Sequence, residues 1–331
     1  MLANIRNTVE KYHMLGAAHG AYDKKIIIAL SGGADSVSLL YAFDELKEEF
    51  GVTIEACHVN HKLRGEQSDS DEKFVRALCE RLGIKLYLRE VDVKALQKKH
   101  QSLEECAREA RYSYFREIGT RAVIATAHTA NDNTETVLLN LIRGTALRGL
   151  CGIPPVRANI IRPLIEVTRE RVLAYLEEKG ADYVTDESNF SKEFTRNNLR
   201  LDVIPALEKI NPSLNDGITR MCETLRRDEE YLRKDSESAL ESAYFTHPND
   251  EPENECFKTD VLIKQPEALL NRIISLILSK NNISPTNHRI NGVVSILERG
   301  GKINLEKNKF AVVRNNLLCV KQIHQNYRKK S

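Results

Sequence analysis

Lys25–Leu30 is a short, β-branched apolar run that ends directly on Ser31-Gly32-Gly33-Ala34-Asp35-Ser36. A helical pattern starts at once, with Val37, Leu39, Leu40, Phe43 and Leu46 apolar across Asp35–Glu49. A strand buried on both faces reads as a continuous apolar run, and such strands belong to parallel sheets covered by helices. One feature thus fixes a β-turn-α unit and places two glycines at its turn.

The pattern repeats. Val52–Val59 is strand-like, Asp69–Leu82 helical, Lys85–Val93 a strand, Leu103–Ile118 a helix, Ala122–Ala127 a fourth strand and Thr134–Ile142 a further helix. Ile160–Ile165 adds a strand, and Thr168–Gly180 is a helix with Thr168 at its N-cap and Gly180 at its stop. Alternation of this kind predicts an α/β fold with a doubly wound, mostly parallel sheet and right-handed crossovers. Ligands of such sheets bind beyond the carboxyl ends of the strands, where the strand order reverses.

The six-residue turn carries its own chemistry. Glycines at 32 and 33 tolerate positive φ and let the backbone approach a phosphate without a Cβ in the way. Successive N–H groups and the start of the following helix attract anions. The hydroxyls of Ser31 and Ser36 can donate to phosphate oxygens. Asp35 is a hard oxygen ligand suited to Mg²⁺. The string lacks the spacing and the Gly-Lys-Ser/Thr ending of a Walker A loop, which disfavours a P-loop NTPase and suits a cradle for pyrophosphate.

Beyond the first sheet, Ser213–Tyr244 reads as one long charged helix and His247–Glu255 as a polar linker. Leu269–Leu278 and Asn291–Leu297 are helical. Lys302–Leu305, Phe310–Arg314 and Leu317–Val320 form short strands around tight turns at Lys307-Asn308 and Asn315-Asn316. The expected organisation is an ATP-binding catalytic domain over 1–212, a long helix and linker over 213–250, and a small α+β domain over 251–331. The tail Tyr327–Ser331 is basic.

Seven cysteines, none in a C-x-x-C pair, predict reduced thiols rather than a disulfide framework, a structural zinc site or a cluster. The start Met1–Arg6 has no apolar core of a signal peptide, and no apolar run is long enough to span a bilayer. The expectation is a cytoplasmic protein without membrane contact. A net charge of +2 leaves any attraction for nucleic acid to local clusters.

Several further segments carry a family resemblance. These are His58-Val59-Asn60-His61 with Leu63-Arg64-Gly65, Ser68 and Asp71; Glu105–Arg108 with Arg111, Tyr112 and Phe115; Ala127-His128 with Asp132, Glu135 and Thr136; and Asp186, Ser188 and Asn189 with Arg196, Asn197 and Arg200. Together with Ser31–Ser36 they resemble the PP-loop ATP pyrophosphatase superfamily (adenine nucleotide α-hydrolase-like fold), and within it the branch that forms lysidine in tRNA. The likeness covers most of 24–207 and is weaker beyond. His128-Thr129 departs from a His-His pair, and Asn133 stands where Gln is usual. Longer members of that family carry a further C-terminal domain.

The resemblance implies a defined reaction. ATP adenylates the C2 oxygen of the wobble cytidine of an isoleucine tRNA with a CAU anticodon, releasing pyrophosphate, and the side-chain amine of free L-lysine then displaces AMP. The cofactors implied are ATP and Mg²⁺, with Asp35 as the metal ligand, and a homodimer is implied by resemblance. Arg108, Arg111 and Arg200 would stabilise phosphate charge, although a solvated basic face is the alternative for helical arginines. Asp132 would meet the cytidine or the amine, or else cap helix 134–142. His128 and Arg196 are candidates for contact with substrate RNA. Arg226, Arg227, Lys302, Lys307, Lys309 and Arg314 are candidates for holding other parts of the tRNA. His58 and His61 do not make a zinc site. The alternatives are another PP-loop tRNA enzyme such as a thiolase, a small-molecule PP-loop ligase, or a non-catalytic nucleotide or tRNA binder.

Overall fold

The computed structural model describes residues 1–16, 24–63, 65–99, 101–185, 195–245 and 255–322. Arg64, Asp186, Ser188, Asn189, most of the expected linker (residues 247–254) and the basic tail 327–331 lie outside the described residues. The chain divides into two compact units, Met1–Leu225 and Arg226–Ser331.

In the first unit the strands are β1 (Lys25–Ala29), β2 (Thr53–Asn60), β3 (Lys85–Glu90), β4 (Val123–Ala125), β5 (Val156–Arg157) and β6 (Ile160–Ile161). They form one sheet in the order β3-β2-β1-β4-β6-β5. Every pairing is parallel except β5 with β6. From β1 the chain winds outward through β2 to β3, then crosses back to place β4 on the other side of β1. The strand order therefore reverses between β1 and β4, and a crevice opens beyond their carboxyl ends.

The helices of this unit are α1 (Leu2–Lys11), α2 (Ala34–Phe50), α3 (Glu66–Leu82), α4 (Val93–Leu96), α5 (Leu103–Ile118), α6 (Ala130–Ile142), α7 (Leu147–Leu150), α8 (Arg169–Lys179), α9 (Thr195–Asn198) and α10 (Ile204–Ile210). A π-helical segment, Leu199–Val203, links the last two. One core joins Ile26 and Ile28 of β1 to Val37, Leu40 and Phe43 of α2 and to Val172 and Leu176 of α8. On the other face of β1, Ile27 packs with Phe115 of α5 and Ile124 of β4. The central strand is thus covered on both sides, as its unbroken apolar sequence requires.

Several predicted elements change at their ends. The third strand stops at Glu90, and Val93 is buried at the start of α4 under the Asp92 cap. The strand at Ile160 keeps only two residues. Helix α6 begins at Ala130, four residues before the predicted start, because Thr129 rather than Asp132 is its N-cap. Thr168 stands at the N-cap of α8 without a side-chain capping bond.

Helix α11 (Leu214–Ala243) contains the division between the units. The second unit holds β7 (Tyr244–Phe245), β8 (Cys256–Lys258), α12 (Thr259–Leu262), α13 (Glu267–Lys280), α14 (Asn287–Leu297), β9 (Gly301–Glu306), β10 (Lys309–Arg314) and β11 (Leu317–Gln322). Its sheet, ordered β7-β8-β11-β10-β9, is antiparallel throughout. Asn315 and Asn316 both take positive φ, which two-residue hairpin turns require. Phe257 and Leu318 of the sheet pack on Ile273, Ile274 and Ile277 of α13.

The expectation of seven reduced thiols is corrected here. Cys256 and Cys319 are direct cross-strand partners of β8 and β11, with Cα atoms 4.3 Å apart, and form a disulfide. Their separation of 63 positions in sequence hides the pairing from any reading of local spacing. Cys57, Cys79, Cys106, Cys151 and Cys222 are free and buried.

Candidate active site

Beyond the carboxyl ends of β1, β2 and β4 lies a cavity of about 550 Å³. Its walls come from Ala29–Ser31 and Gly33–Ser36 after β1, Cys57–His61 at the end of β2, and Thr126–His128 after β4. Arg108, Arg111, Asp132, Arg169 and Arg200 also line it. Of the predicted site residues, Gly32 stands behind the loop, and Arg196 reaches the same carboxylates as Arg200 without bordering the cavity.

The loop holds itself in shape. The Ser31 N–H donates to Ser36 Oγ at 3.1 Å, and the Ser36 hydroxyl donates to the Gly33 carbonyl at 2.9 Å. Gly32 has φ +91°, and a Cβ there would meet Val75, Phe74 and Val184 at 3.4–3.5 Å. Gly33 is the N-cap of α2 and supplies no side-chain cap, so the first amides of the helix keep no partner from a capping side chain. Together with the helix dipole they form an anion-seeking surface at the cavity wall.

Asp35 sits in the first turn of α2. Its Oδ2 accepts from Arg169 Nη1 at 2.8 Å, while its Oδ1 is buried without a hydrogen-bond partner. Burial raises the Asp35 pKa to about 6 despite the nearby Arg169. A buried, unsatisfied carboxylate oxygen is costly, and a hard cation is the partner that such an oxygen accepts best. The chemistry of this residue therefore fits a magnesium ligand. Among the described residues no group of three or more His, Cys, Asp or Glu side chains is set to hold a metal unaided.

On the β4 side a cluster of ion pairs replaces the expected single acid. Glu135 is 1% exposed and accepts from Arg196 Nε at 2.7 Å and Arg200 Nε at 2.5 Å. Arg196 on α9 and Arg200 in the π-helical segment thus converge on one buried carboxylate from α6. Asp132 has a double duty. Its Oδ2 accepts from the Thr129 backbone at 2.8 Å and completes a capping box, and its Oδ1 stands 3.4 and 3.6 Å from Arg196 and Arg200. Asp132 thus serves the cap of α6 from the N3 position, Thr129 being the N-cap, while its other oxygen faces the two arginines.

The histidines differ. His58 Nδ1 lies 2.8 Å from the Leu30 carbonyl, which can only accept, so this ring ties β2 to β1. Thr126 donates its hydroxyl to the Ile161 carbonyl and so accepts from His128 Nδ1 at 3.0 Å. That leaves His128 Nε2 as an acceptor. Burial, reinforced by Arg162, Arg196 and Arg108 against the opposing pull of Asp132, holds the His128 pKa well below the usual value. His61 is pushed down to about 4 by burial, Arg111 and His58.

On α5 the Arg108 guanidinium stacks over the Tyr112 ring at 5.0 Å. Protein surrounds Arg111 closely enough to lower its pKa although its surface opens on the cavity. The two departures from the family pattern are structural. Thr129 is a cap, and Asn133 Oδ1 accepts from the Ile153 amide at 2.7 Å. Arg169 and Glu135 are the residues that sequence reasoning left without a role. Glu135 stood in a quoted motif, whereas Arg169 is brought to Asp35 across 134 residues.

In the second unit, Lys302, Lys307 and Arg314 are exposed. Lys302 covers the Phe310 ring at 3.8 Å, and Lys309 donates to the Asn281 carbonyl at 2.7 Å. Arg226 and Arg227 lie on α11. No helix among the described residues is long and apolar enough to cross a membrane.

A doubly wound sheet with a glycine-serine phosphate loop at its switch point defines a PP-loop nucleotide-binding domain, and the model of that domain family matches residues 4–207. A TilS-like substrate binding domain matches residues 252–320. The tRNA(Ile)-lysidine synthase of Clostridium acetobutylicum is 35% identical over 97% of this chain and 70% of its own length. Those of Bacteroides thetaiotaomicron and Caldanaerobacter subterraneus are 42% and 40% identical over 63% and 72% of this chain. The chain covers 48% and 51% of their lengths. It belongs to the tRNA(Ile)-lysidine synthase family. Among solved structures, the U34-tRNA thiolase NcsA of Methanococcus maripaludis shares the fold, with a TM-score of 0.53 at 22% identity over 67% of this chain and 77% of that one.

Proposed function

We propose that this chain ligates lysine to C2 of the wobble cytidine of tRNA(Ile) with a CAU anticodon, through an adenylated cytidine, with ATP as the activating nucleotide. The observation that carries the reading is Ser31–Ser36 at the sheet's switch point, with the unpartnered Asp35 Oδ1 beside it. Family membership supplies the substrates. Free L-lysine and the tRNA are the partners of this reading, and the cytoplasm is its place.

Adenylation makes the C2 oxygen a leaving group and develops negative charge on the α-phosphate and on departing pyrophosphate. The loop amides and the Ser31 and Ser36 hydroxyls bind the pyrophosphate moiety. Mg²⁺ held by Asp35 would supply Lewis-acid neutralisation of the phosphate oxygens. Arg108 and Arg111, from α5 on the cavity wall, add fixed positive charge.

The incoming lysine amine is mostly protonated near neutral pH and must lose a proton before attack. Asp132 Oδ1 and His128 Nε2 are the acceptors on the β4 side of the cavity. Arg196 and Arg200, clamped on Glu135, hold Asp132 in place and meet the RNA backbone. Contacts of Lys302, Lys307 and Arg314 with phosphates elsewhere on the tRNA would position it without reading sequence.

The thiolase alternative calls for reactive cysteines. Among the described residues the five free cysteines are buried, and burial raises Cys57 to about 12 and Cys79 to about 11, away from the nucleophilic thiolate. Incubation with ATP, Mg²⁺, radiolabelled lysine and unmodified isoleucine CAU tRNA tests the proposal. Lysine incorporated into RNA, with AMP and pyrophosphate released, is the expected result. Absence of incorporation with an intact fold would reject it.

A further inference from the structure

We propose that Arg169 is a catalytic arginine that leaves Asp35 for the pyrophosphate moiety of ATP when the magnesium nucleotide binds. The proposal rests on the reading of Ser31–Ser36 as a pyrophosphate cradle and goes one residue further. Arg169 opens α8 on the cavity wall, next to Asp35 of the cradle. Its backbone amide is pinned by Asn131 Oδ1 at 2.8 Å, so the stem has a fixed origin while the side chain remains 46% exposed.

Two other arginines of the cavity already have protein partners. Arg200 is held at 2.5 Å by the buried Glu135, and Arg108 is stacked on Tyr112. Arg169 differs. Among the described residues its ion pair is with Asp35 Oδ2, the carboxylate whose other oxygen has no partner at all. The guanidinium on Oδ2 thus stands on the same carboxylate that would hold a divalent cation through Oδ1.

Two positive charges cannot share that carboxylate comfortably, since the arginine is always charged and the two would stand within a few ångströms of each other. The incoming triphosphate removes the conflict by offering oxygens with forked geometry for a guanidinium. The exchange breaks the Nη1–Oδ2 hydrogen bond and makes one to a β- or γ-phosphate oxygen. No covalent bond and no proton changes place. The guanidinium then stands on the leaving group while charge develops there.

Two titrations of the whole chain with opposite expected signs test this. Calorimetry follows inorganic pyrophosphate in the presence of Mg²⁺, with AMP as control. Electron paramagnetic resonance follows Mn²⁺ in the absence of any nucleotide. In R169A, pyrophosphate affinity falls about tenfold or more while AMP affinity stays within about twofold, because AMP lacks the phosphates concerned. In the same variant Mn²⁺ binds several-fold more tightly, and D35N in that background removes the gain. R169K, which keeps the charge but not the fork, binds pyrophosphate with intermediate affinity and guards against a folding artefact. Unchanged pyrophosphate affinity in R169A, or Mn²⁺ binding no tighter than wild type, overturns the exchange. Wild-type protein that binds AMP and no pyrophosphate overturns the cradle as well.

Discussion

The Val184 amide donates to the Gly32 carbonyl at 2.9 Å, joining the phosphate loop to a segment 152 residues further on. The same contact forms a parallel bridge between Gly33 and Val184. It engages the Gly32 carbonyl, so the loop is braced by a distant segment as well as by its own serines. A preorganised set of amides loses little entropy when phosphate arrives.

Gly32→Ala tests that brace. An L-residue at φ +91° costs about 1–2 kcal/mol, although the added Cβ would make only ordinary contacts with Val75, Phe74 and Val184. The expected outcome is a lower melting temperature together with weaker binding of ATP and of pyrophosphate. Thermal melts and calorimetry check it; a variant with wild-type nucleotide affinity would show that the loop needs no left-handed residue at this position.

The clamp on Glu135 predicts non-additivity. Arg196→Met or Arg200→Met alone leaves the buried carboxylate one cation, and each costs about 1–2 kcal/mol. The double substitution strands a charge that is 1% exposed, and the loss exceeds the sum of the singles by about 1–3 kcal/mol. Urea denaturation of the four proteins closes the cycle. Simple additivity would mean that Glu135 is neutral or solvated, contrary to its geometry.

Much of this site was legible in the chain, and the reason is local. Ser31–Ser36 is contiguous, follows a strand whose apolar run is unmistakable, and precedes a helix whose period is clear, so position and chemistry could be read together. The same holds for the pair Asn315-Asn316, whose turn chemistry fixes the last hairpin. Three features were not legible. Helix α6 starts early because Thr129 and Asp132 form a reciprocal cap, and threonine looks like any loop residue until its partner is known. Arg169 meets Asp35 only because α8 packs beside α2 through Val172, Leu176 and Leu40 in one core. Cys256 meets Cys319 only through strand register. The last two are tertiary consequences with no signal in local spacing, whereas the Thr-x-x-Asp cap is a local pattern that the competing candidate cap at Asp132 obscured.

His61 carries a pH prediction. Its folded pKa of about 4 lies below the ordinary 6.5, with burial as the main cause. Between these values the unfolded chain binds a proton that the folded chain does not, so this histidine makes stability rise as pH increases from about 4 to 6.5. At pH 5 the neutral ring costs the fold on the order of 1–2 kcal/mol relative to pH 8. His61→Gln removes that dependence. Denaturant titrations at pH 5 and pH 8 should therefore show a smaller difference for the variant than for wild type. Equal differences would place His61 in a wetter setting than its buried, unpartnered Nδ1 indicates.

The disulfide gives the last prediction, and it concerns only the second unit. Cys256 and Cys319 close a loop of 63 residues, so the entropy removed from the unfolded chain is worth up to about 4 kcal/mol. The bridge joins β8 to β11 at a position where the two strands are already paired, so its loss leaves the sheet's hydrogen bonds in place. Reduction is therefore expected to lower the melting temperature of the second unit without unfolding the first, whose cysteines are all free. Cys256→Ala/Cys319→Ala protein should match the reduced wild type and lose its response to dithiothreitol. Mass spectrometry of peptides under non-reducing conditions checks the bond directly. A thermal scan in which dithiothreitol shifts the double variant as much as wild type would assign the response to another pair, and the register of β8 on β11 would have to be revised.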